Sequence, residues 1–434
     1  MTHFDLAVIG GGSGGAGAAL TAGRAGVRTL WVEREALLGG TGVNAFVNVW
    51  QPAYSASVLA PEIAARLIER DGGCYDEAAF DTPCERPIFR RSASAGYADT
   101  LRRWQQTEPR RENAPGFVYL PSAMDAVLRE MGVETGNVTL WTESTFLDAE
   151  TVPSADGLRR ISRLLIDTPE GTEDVEADWV VDTTADIAVA RQTGCAWSLG
   201  RESIEDYGEP SAPPRREFKL NGCTLCFLAH RGPDLLALPE EGYGHDFDWA
   251  HIGEMPDGRC YVNVCFQFPG EVAWMLGPEL ARERALRNIA RRWPGIKLAY
   301  GLEDYGIAAL APRIGVREGP RLAGRYVLTE QDYRAGNYGA HHEDCIAFTD
   351  HAIDRHAPDG GCEEAVNGPV GIPFRCLQPC EVDNLLVACR GASFSSIAAS
   401  AARLQRTMME IGEAAARYIA TGKVVKPELP PYNG

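Results

Sequence analysis

Three glycines and one acid in the first 33 residues have the spacing of a binding site. Gly10, Gly12 and Gly15 follow an apolar run from Phe4 to Ile9 in the order G-x-G-x-x-G, and Glu33 closes a second apolar run. That arrangement fits a dinucleotide. Gly10 permits a tight turn, Gly12 lets the backbone approach a pyrophosphate, and Gly15 lets helix and strand pack closely. Ser13 and Gly14 open a helix whose free N–H groups and positive dipole end face the phosphates. Glu33, with Arg34 beside it, can accept hydrogen bonds from ribose hydroxyls. The alternative, a glycine turn that binds nothing, does not account for the strand–turn–helix–strand–acid context.

The elements that position these residues read as a discontinuous nucleotide-binding domain. A helix is expected over 56–70, with Val58, Ile63, Leu67 and Ile68 on one stripe, and another over 121–131. Residues 71–120 are rich in Pro, Arg and turn formers and read as an insertion of short helices and loops. Strands are expected at 138–142, 145–150, 158–167 and 177–186. The character changes near Trp197. Residues 197–368 read as a second domain, with strands at 218–230, 259–268 and 313–328 and a helix at 278–293. Residues 369–422 return to the first domain through a strand near 385–391 and an Ala- and Ser-rich helix at about 395–420. The tail, 423–434, reads as irregular.

Composition narrows the partners. A formal charge of −18 over 434 residues leaves no basic surface for a nucleic-acid backbone. No apolar run is long enough for a membrane span, and the early core strand leaves no room for a signal peptide, so a cytoplasmic location is expected. There the twelve cysteines are expected as reduced thiols. Cys223/Cys226, Cys260/Cys265 and Cys376/Cys380 are loose pairs that suit buried small residues on strands better than metal ligands, with Cys223 and Cys226 the least ordinary pair. No metal is expected. An oligomer is compatible with the sequence.

Leu38-Gly39-Gly40-Thr41-Gly42-Val43-Asn44 resembles the glutathione-reductase-type FAD proteins, whose flavin is flanked by a Gly-Gly pair after the ribose acid. Where the disulfide reductases of that group carry two cysteines, this chain has Gly42 and Val47, so the disulfide chemistry is absent. No second G-x-G-x-x-G follows a mid-chain strand, which argues against a dedicated NAD(P)H domain. A closer resemblance covers nearly the whole chain, to the FAD-dependent oxidoreductase family, some of whose members are labelled xanthan-lyase-like. It rests on Arg313-Ile-Gly-Val-Arg-Glu, Gly324-Arg-Tyr-Val-Leu-Thr-Glu, Ala352-Ile-Asp-Arg-His, Gly371-Ile-Pro-Phe-Arg-Cys-Leu-Gln-Pro and Val382-Asp-Asn-Leu-Leu-Val-Ala. The resemblance implies a glutathione-reductase-type FAD-binding Rossmann domain with an inserted mixed α/β substrate domain over the flavin. Gly39, Gly40, Thr41, Asp186, Arg390 and Gly391 join the expected FAD contacts. The chain departs from the family pattern in Asp182-Thr-Thr-Ala-Asp186, in Cys389, and in Ser396 and Ala399, which stand where the family often has histidines.

A flavin leaves the protein to orient a substrate carbon and manage one proton. His356, with Asp354 two residues earlier, is the leading candidate for the proton; a surface histidine is the alternative. Arg317 and Arg375, read as guanidinium groups within apolar strands, can hold an acidic substrate or the reduced flavin's negative charge, or else form structural pairs with Glu318 or Glu330. His341 and His342, near Tyr338 and Asp344, read as solvated loop histidines, with a metal or proton-relay cluster as the alternative. His245 and His251, flanking Asp246, Asp248 and Trp249, read as part of an aromatic-acidic loop that can cover a sugar-like ligand. No histidine or cysteine directly follows Gly39-Gly40, so the flavin is expected to be non-covalent. The expected activity is hydride transfer between FAD and a small polar metabolite (a sugar-like alcohol, hydroxy acid or amine), with an unknown electron acceptor or donor. The rivals are a flavin monooxygenase or halogenase, and a flavoprotein subunit without catalysis of its own.

Overall fold

The computed structural model describes residues 2–51, 55–76, 116–240, 250–264, 267–335, 342–356, 362–364 and 369–427. Most of the expected 71–120 insertion, Cys265, His245, Asp246, Asp248, Trp249, Tyr338 and His341 lie outside the described residues.

Both ends of the chain build one sheet. Strand Thr2–Ile9 lies between Thr29–Val32 and Gly171–Asp182, pairing in parallel with each, and Val138–Trp141 extends the parallel order beyond Thr29–Val32. The long strand Gly171–Asp182 serves two partners along its other edge. Its first half pairs antiparallel with Arg159–Thr168, which pairs with Thr145–Pro153. Its last residues pair in parallel with the returning strand, Leu385–Val387. Leu6, Ala7, Val8, Leu30, Trp31, Val180 and Val181 are fully buried, as the continuous apolar runs of a covered parallel sheet require. Each fully buried aliphatic side chain contributes roughly 1.5–3 kcal/mol relative to exposure.

Helix Ser13–Arg24 packs against the C-terminal helix Gln405–Thr421 through small residues. A Cβ on Gly14 would lie 1.9 Å from the Ala388 carbonyl oxygen, one on Gly17 2.1 Å from that of Met409, and one on Gly412 2.1 Å from that of Gly14. Glycine is therefore required for the two backbones to approach this closely.

The second unit is a four-stranded antiparallel sheet in the order His251–Glu254, Cys260–Asn263, Phe227–Arg231, Tyr305–Leu310. The helical segment Gly270–Tyr300 covers it, and Ala281, Ala285, Ile289, Trp293 and Ile296 belong to the same buried cluster as Phe227 and Val262. The segment is broken at Gly277, whose φ of 74° precedes Pro278. A three-stranded sheet (Val49–Trp50, Gly116–Tyr119, Gly73–Asp76) lies beside it, with Val49, Val118, Leu228 and Tyr261 in one core.

Three expectations need correction. Residues 313–328 are not a strand; they run extended with one short ladder, Arg321–Leu322 against Trp197–Ser198, and isolated bridges at Gly315 and Leu328. Backbone groups of this segment bond to loops and to isolated partners (Arg313 N to Asn44 O, Gly315 with Thr224, Leu322 N to Gly391 O) in place of one neighbouring strand. The helix read over 395–420 is two helices, Ser396–Ala402 and Gln405–Thr421, interrupted at Arg403 and Leu404. Cys376 lies in a short 3-10 turn and Cys380 is exposed, so that pair is not on a strand.

Candidate functional site

The glycine turn forms a cradle in which only some glycines face outward. Gly10 has φ 118°, and a Cβ there would lie 2.7 Å from the Thr183 backbone; a Cβ on Gly15 would lie 1.9 Å from the Gly10 carbonyl oxygen. Gly12 differs: the nearest atom to its Cβ position is the Gly40 Cα at 3.9 Å. The helix begins there with no side-chain cap, so its first N–H groups, on Ser13, Gly14 and Gly15, are left for a ligand. Gly40, with φ 53°, presses on Gly12 from the second glycine pair, and the Gly39 N–H donates to the Gly11 carbonyl at 2.8 Å.

Glu33 closes the cradle. It is 6% exposed, and its two oxygens accept from the Gly11 N–H (2.5 Å) and the Glu35 N–H (2.8 Å). Burial raises its pKa against those two bonds, and each oxygen keeps a second lone pair for a ribose hydroxyl. Arg34 points outward beside Glu35, and Thr41 is exposed at the rim. Open backbone at Gly12, uncapped N–H groups and a buried acid together fit the diphosphate and ribose of a dinucleotide.

Asp186 and Arg390 meet each other. Arg390 Nη2 lies 2.8 Å from Asp186 Oδ1, while its other nitrogens donate to the carbonyls of Ala185 and Val316. Gly391 packs under Ile187 and Pro320. Asp182, one turn earlier, is structural: fully buried, it accepts from Thr184 N, Thr184 Oγ1 and Ala190 N, and burial raises its pKa to about 6. Gly42 has no space for a side chain, since a Cβ would lie 2.0 Å from the Tyr119 hydroxyl and 2.6 Å from Gln405 Oε1. A cysteine there would displace the Tyr119–Gln405 hydrogen bond of 2.8 Å.

From Arg390 the segment 313–320 leads to a second cluster. Arg313 N donates to the Asn44 carbonyl and Gly315 exchanges hydrogen bonds with Thr224, so this segment joins the 39–47 region to the four-stranded unit. Arg317 Nη1 donates to the Gly222 carbonyl (2.8 Å) and Thr224 Oγ1 (2.9 Å), and the Gly222 N–H donates to the His356 carbonyl (2.7 Å). His356 Nε2 lies 2.7 Å from Asp354 Oδ2, which also accepts from Arg403 Nη2 at 2.8 Å. Burial pushes Asp354 up, but the His356 hydrogen bond and the Arg403 charge outweigh it and hold the carboxyl well below its usual range. Burial, then the charge of Arg317, depress His356 to about 4 against the pull of Asp354. The imidazole is thus neutral at pH 7. An ionised Asp354 only accepts, so Nε2 carries the proton and Nδ1 presents its lone pair. Nδ1 has no hydrogen-bond partner among the described residues.

Of the four residues expected to act on substrate, the fold brings together His356, Asp354 and Arg317. Arg375 is elsewhere: it lies in the turn Phe374–Leu377, is 44% exposed, pairs with Asp344 at 3.0 Å and stacks on Tyr326 at 4.9 Å. Its carboxylate partner and solvent satisfy it, and the apolar strand expected around it ends before it, at Pro373. Arg317 likewise is not in a strand, and neither Glu318 nor Glu330 pairs with it; they bind Arg321 and Arg334. His251 is a buried strand residue against Tyr261, pushed down to about 3 by burial and then by Arg317. His342 is buried against Tyr326. Cys223 and Cys226 are buried thiols raised to about 11 and 12. Among the described residues no group of three metal-ligating side chains occurs.

Arg403 and Arg321 were missed in the sequence. Arg321 is 1% exposed between Glu318 (2.6 Å) and Glu202 (2.7 Å), and Ser396 donates to Glu318 at 2.8 Å. Ala399 is buried in the same helix as Ser396. A cation inside the Ala-Ser-Ala-Ala-Arg run was the one available signal for Arg403.

The model of the family described as FAD dependent oxidoreductase matches residues 5–424. The chain belongs to that family: it is an FAD-dependent oxidoreductase, and the cradle is where its cofactor chemistry fits. No curated protein matches it. Solved structures similar to it include a geranylgeranyl bacteriochlorophyll reductase-like protein of Thermoplasma acidophilum, with 14% identity over 97% of this chain and 78% of that one, TM-score 0.47. Another is the p-nitrophenol 4-monooxygenase of Pseudomonas putida, with 14% identity over 97% and 79%, TM-score 0.46. A third is a myxobacterial FAD-dependent halogenase, with 17% identity over 97% and 75%, TM-score 0.49. Likeness at this level says nothing of a substrate. No helix among the described residues is long and apolar enough to cross a membrane.

Proposed function

We propose that this oxidoreductase oxidises a small polar metabolite, an alcohol or amine, on a glutathione-reductase-type fold with non-covalent FAD. Gly12, the first-turn N–H groups of Ser13, Gly14 and Gly15, and Glu33 would hold the diphosphate and ribose, and Gly39 and Gly40 would border the flavin. When bound, FAD supplies a two-electron acceptor for hydride. The residues of the second cluster do the rest. Arg403 and His356 keep Asp354 ionised; Asp354 fixes the imidazole tautomer; His356 Nδ1 accepts the substrate proton.

One observation carries this reading: the Arg403–Asp354–His356 chain, with Nδ1 left without a partner among the described residues. It also favours a direction. An imidazole depressed to about 4 accepts a proton at neutral pH and has none to donate, which suits oxidation. Anaerobic mixing of the holoenzyme with alcohols, hydroxy acids and amines tests it: loss of the yellow flavin colour without nicotinamide is the expected result. Reduction only by reduced nicotinamide, followed by oxygen incorporation into substrate, would assign the protein to monooxygenase chemistry instead.

A further inference from the structure

We propose that the substrate carries a carboxylate, bound by Arg317 with Gln267 as second donor. Four neighbouring arginines are matched to acids: Arg313 to Glu35, Arg321 to Glu318 and Glu202, Arg390 to Asp186, Arg403 to Asp354. Arg317 is not. It is half-buried, and its partners are two neutral oxygens, Gly222 O and Thr224 Oγ1, both on Nη1. No carboxylate among the described residues pairs with it. Nε and Nη2 are left as a planar pair of charged donors, the geometry that takes a carboxylate in two parallel hydrogen bonds.

Gln267 adds an independent observation. It is 8% exposed; its Oε1 accepts from Leu225 N at 2.8 Å, and its Nε2 is buried with no partner among the described residues. A buried donor without an acceptor is destabilising, so this amide is suited to a ligand that brings one. The two side chains are tied one residue apart to the same extended segment, Arg317 to Thr224 and Gln267 to Leu225. Both offer donors only, and a ligand satisfying both must be an acceptor. A single cation suits the single charge of a carboxylate. Through Gly222, Arg317 also sits beside the chain leading to His356, which would place a carboxylate near the hydroxyl or amine whose proton His356 accepts while the adjacent carbon gives its hydride to FAD.

The identity of the pocket rests on the oxidation reading above; the anion binding does not. The test is titration of the FAD-loaded enzyme with glycolate and with its neutral amide, glycolamide, read by the visible flavin spectrum. Glycolate should give a saturable change and glycolamide none. Arg317→Met should weaken glycolate binding roughly tenfold or more, the loss of a charged hydrogen bond, and Gln267→Leu by less. Arg317→Lys, which keeps the charge and loses the fork, should fall between wild type and Met and serves if Met disturbs folding. Equal binding of glycolamide, or unchanged glycolate affinity in Arg317→Met, overturns the proposal. So does a shifted flavin potential with glycolate affinity unchanged, which would give Arg317 to the flavin. If glycolate binds as stated but no alcohol, hydroxy acid or amine bleaches the flavin anaerobically, the oxidation reading fails and this one stands. If neutral alcohols bleach it and glycolate does not bind, the reverse holds.

Discussion

His356 Nε2 and Asp354 Oδ2 lie 2.7 Å apart, and the same carboxylate oxygen is held by Arg403. The carboxylate therefore has two tasks, orienting the imidazole and neutralising a buried guanidinium. Asp354→Asn keeps the shape, but its amide can present a donor to Nε2 and turn the wrong tautomer toward substrate. The rate of anaerobic flavin reduction should fall about 10²-fold or more, the usual contribution of a positioned base, with FAD content unchanged. Stopped-flow absorbance measures this directly.

The pH profile follows from the depressed imidazole. A free histidine titrates near 6.5; His356 is held down to about 4 by burial and by Arg317. The proton-accepting form is then complete well below neutrality, so kcat/KM should be flat across neutral pH and fall only as pH drops through about 4. Stability has the same sign. The contribution of the buried neutral imidazole is present above the unfolded value and lost as pH falls through the folded one. An acidic limb near 6.5 in kcat/KM would show His356 solvated rather than buried.

The glycines of the cradle should separate into two kinds. A methyl group on Gly12 meets nothing closer than 3.9 Å, whereas one on Gly14 lies 1.9 Å from the Ala388 carbonyl. Gly12→Ala should fold with an apo melting temperature near wild type yet lose FAD. Gly14→Ala must push the returning strand away and should cost about 3 kcal/mol, at the upper end for an overpacked core. Thermal melts with and without added FAD distinguish them.

Arg321 supports the helix that leads to Arg403. It is buried between Glu202 and Glu318, and Ser396 shares Glu318. Removing the cation leaves two carboxylates buried together, so Arg321→Met should destabilise the fold by about 3–5 kcal/mol. Urea unfolding is the check, and the loss should shrink at low pH as the acids take up protons.

The first 44 residues were legible because backbone geometry forces their composition. A positive φ at Gly10 and close contacts at Gly15 admit only glycine, and a sequence records that directly. The His356–Asp354 pair was legible because the two residues are only two apart, Asp354 on the short strand Ile353–Arg355 and His356 just past its end. Arg403 and Gln267 were not: their partners lie 49 and 42 residues away. Arg375 was misplaced for a related reason. Its apolar neighbours Phe374, Cys376 and Leu377 are buried in a 3-10 turn, a pattern that a short strand would also give, while its own side chain leaves the core for Asp344. The extended 313–320 segment misled in the same way, since its hydrogen bonds go to loops and isolated bridges.

The most direct test of the proposed chemistry is the anaerobic rate of flavin reduction in His356→Ala, measured with any substrate that bleaches the wild-type flavin. A rate at least about 10²-fold slower, with FAD still bound and the visible spectrum unchanged, is the predicted result. A rate equal to wild type would contradict the assignment of His356 as the proton acceptor.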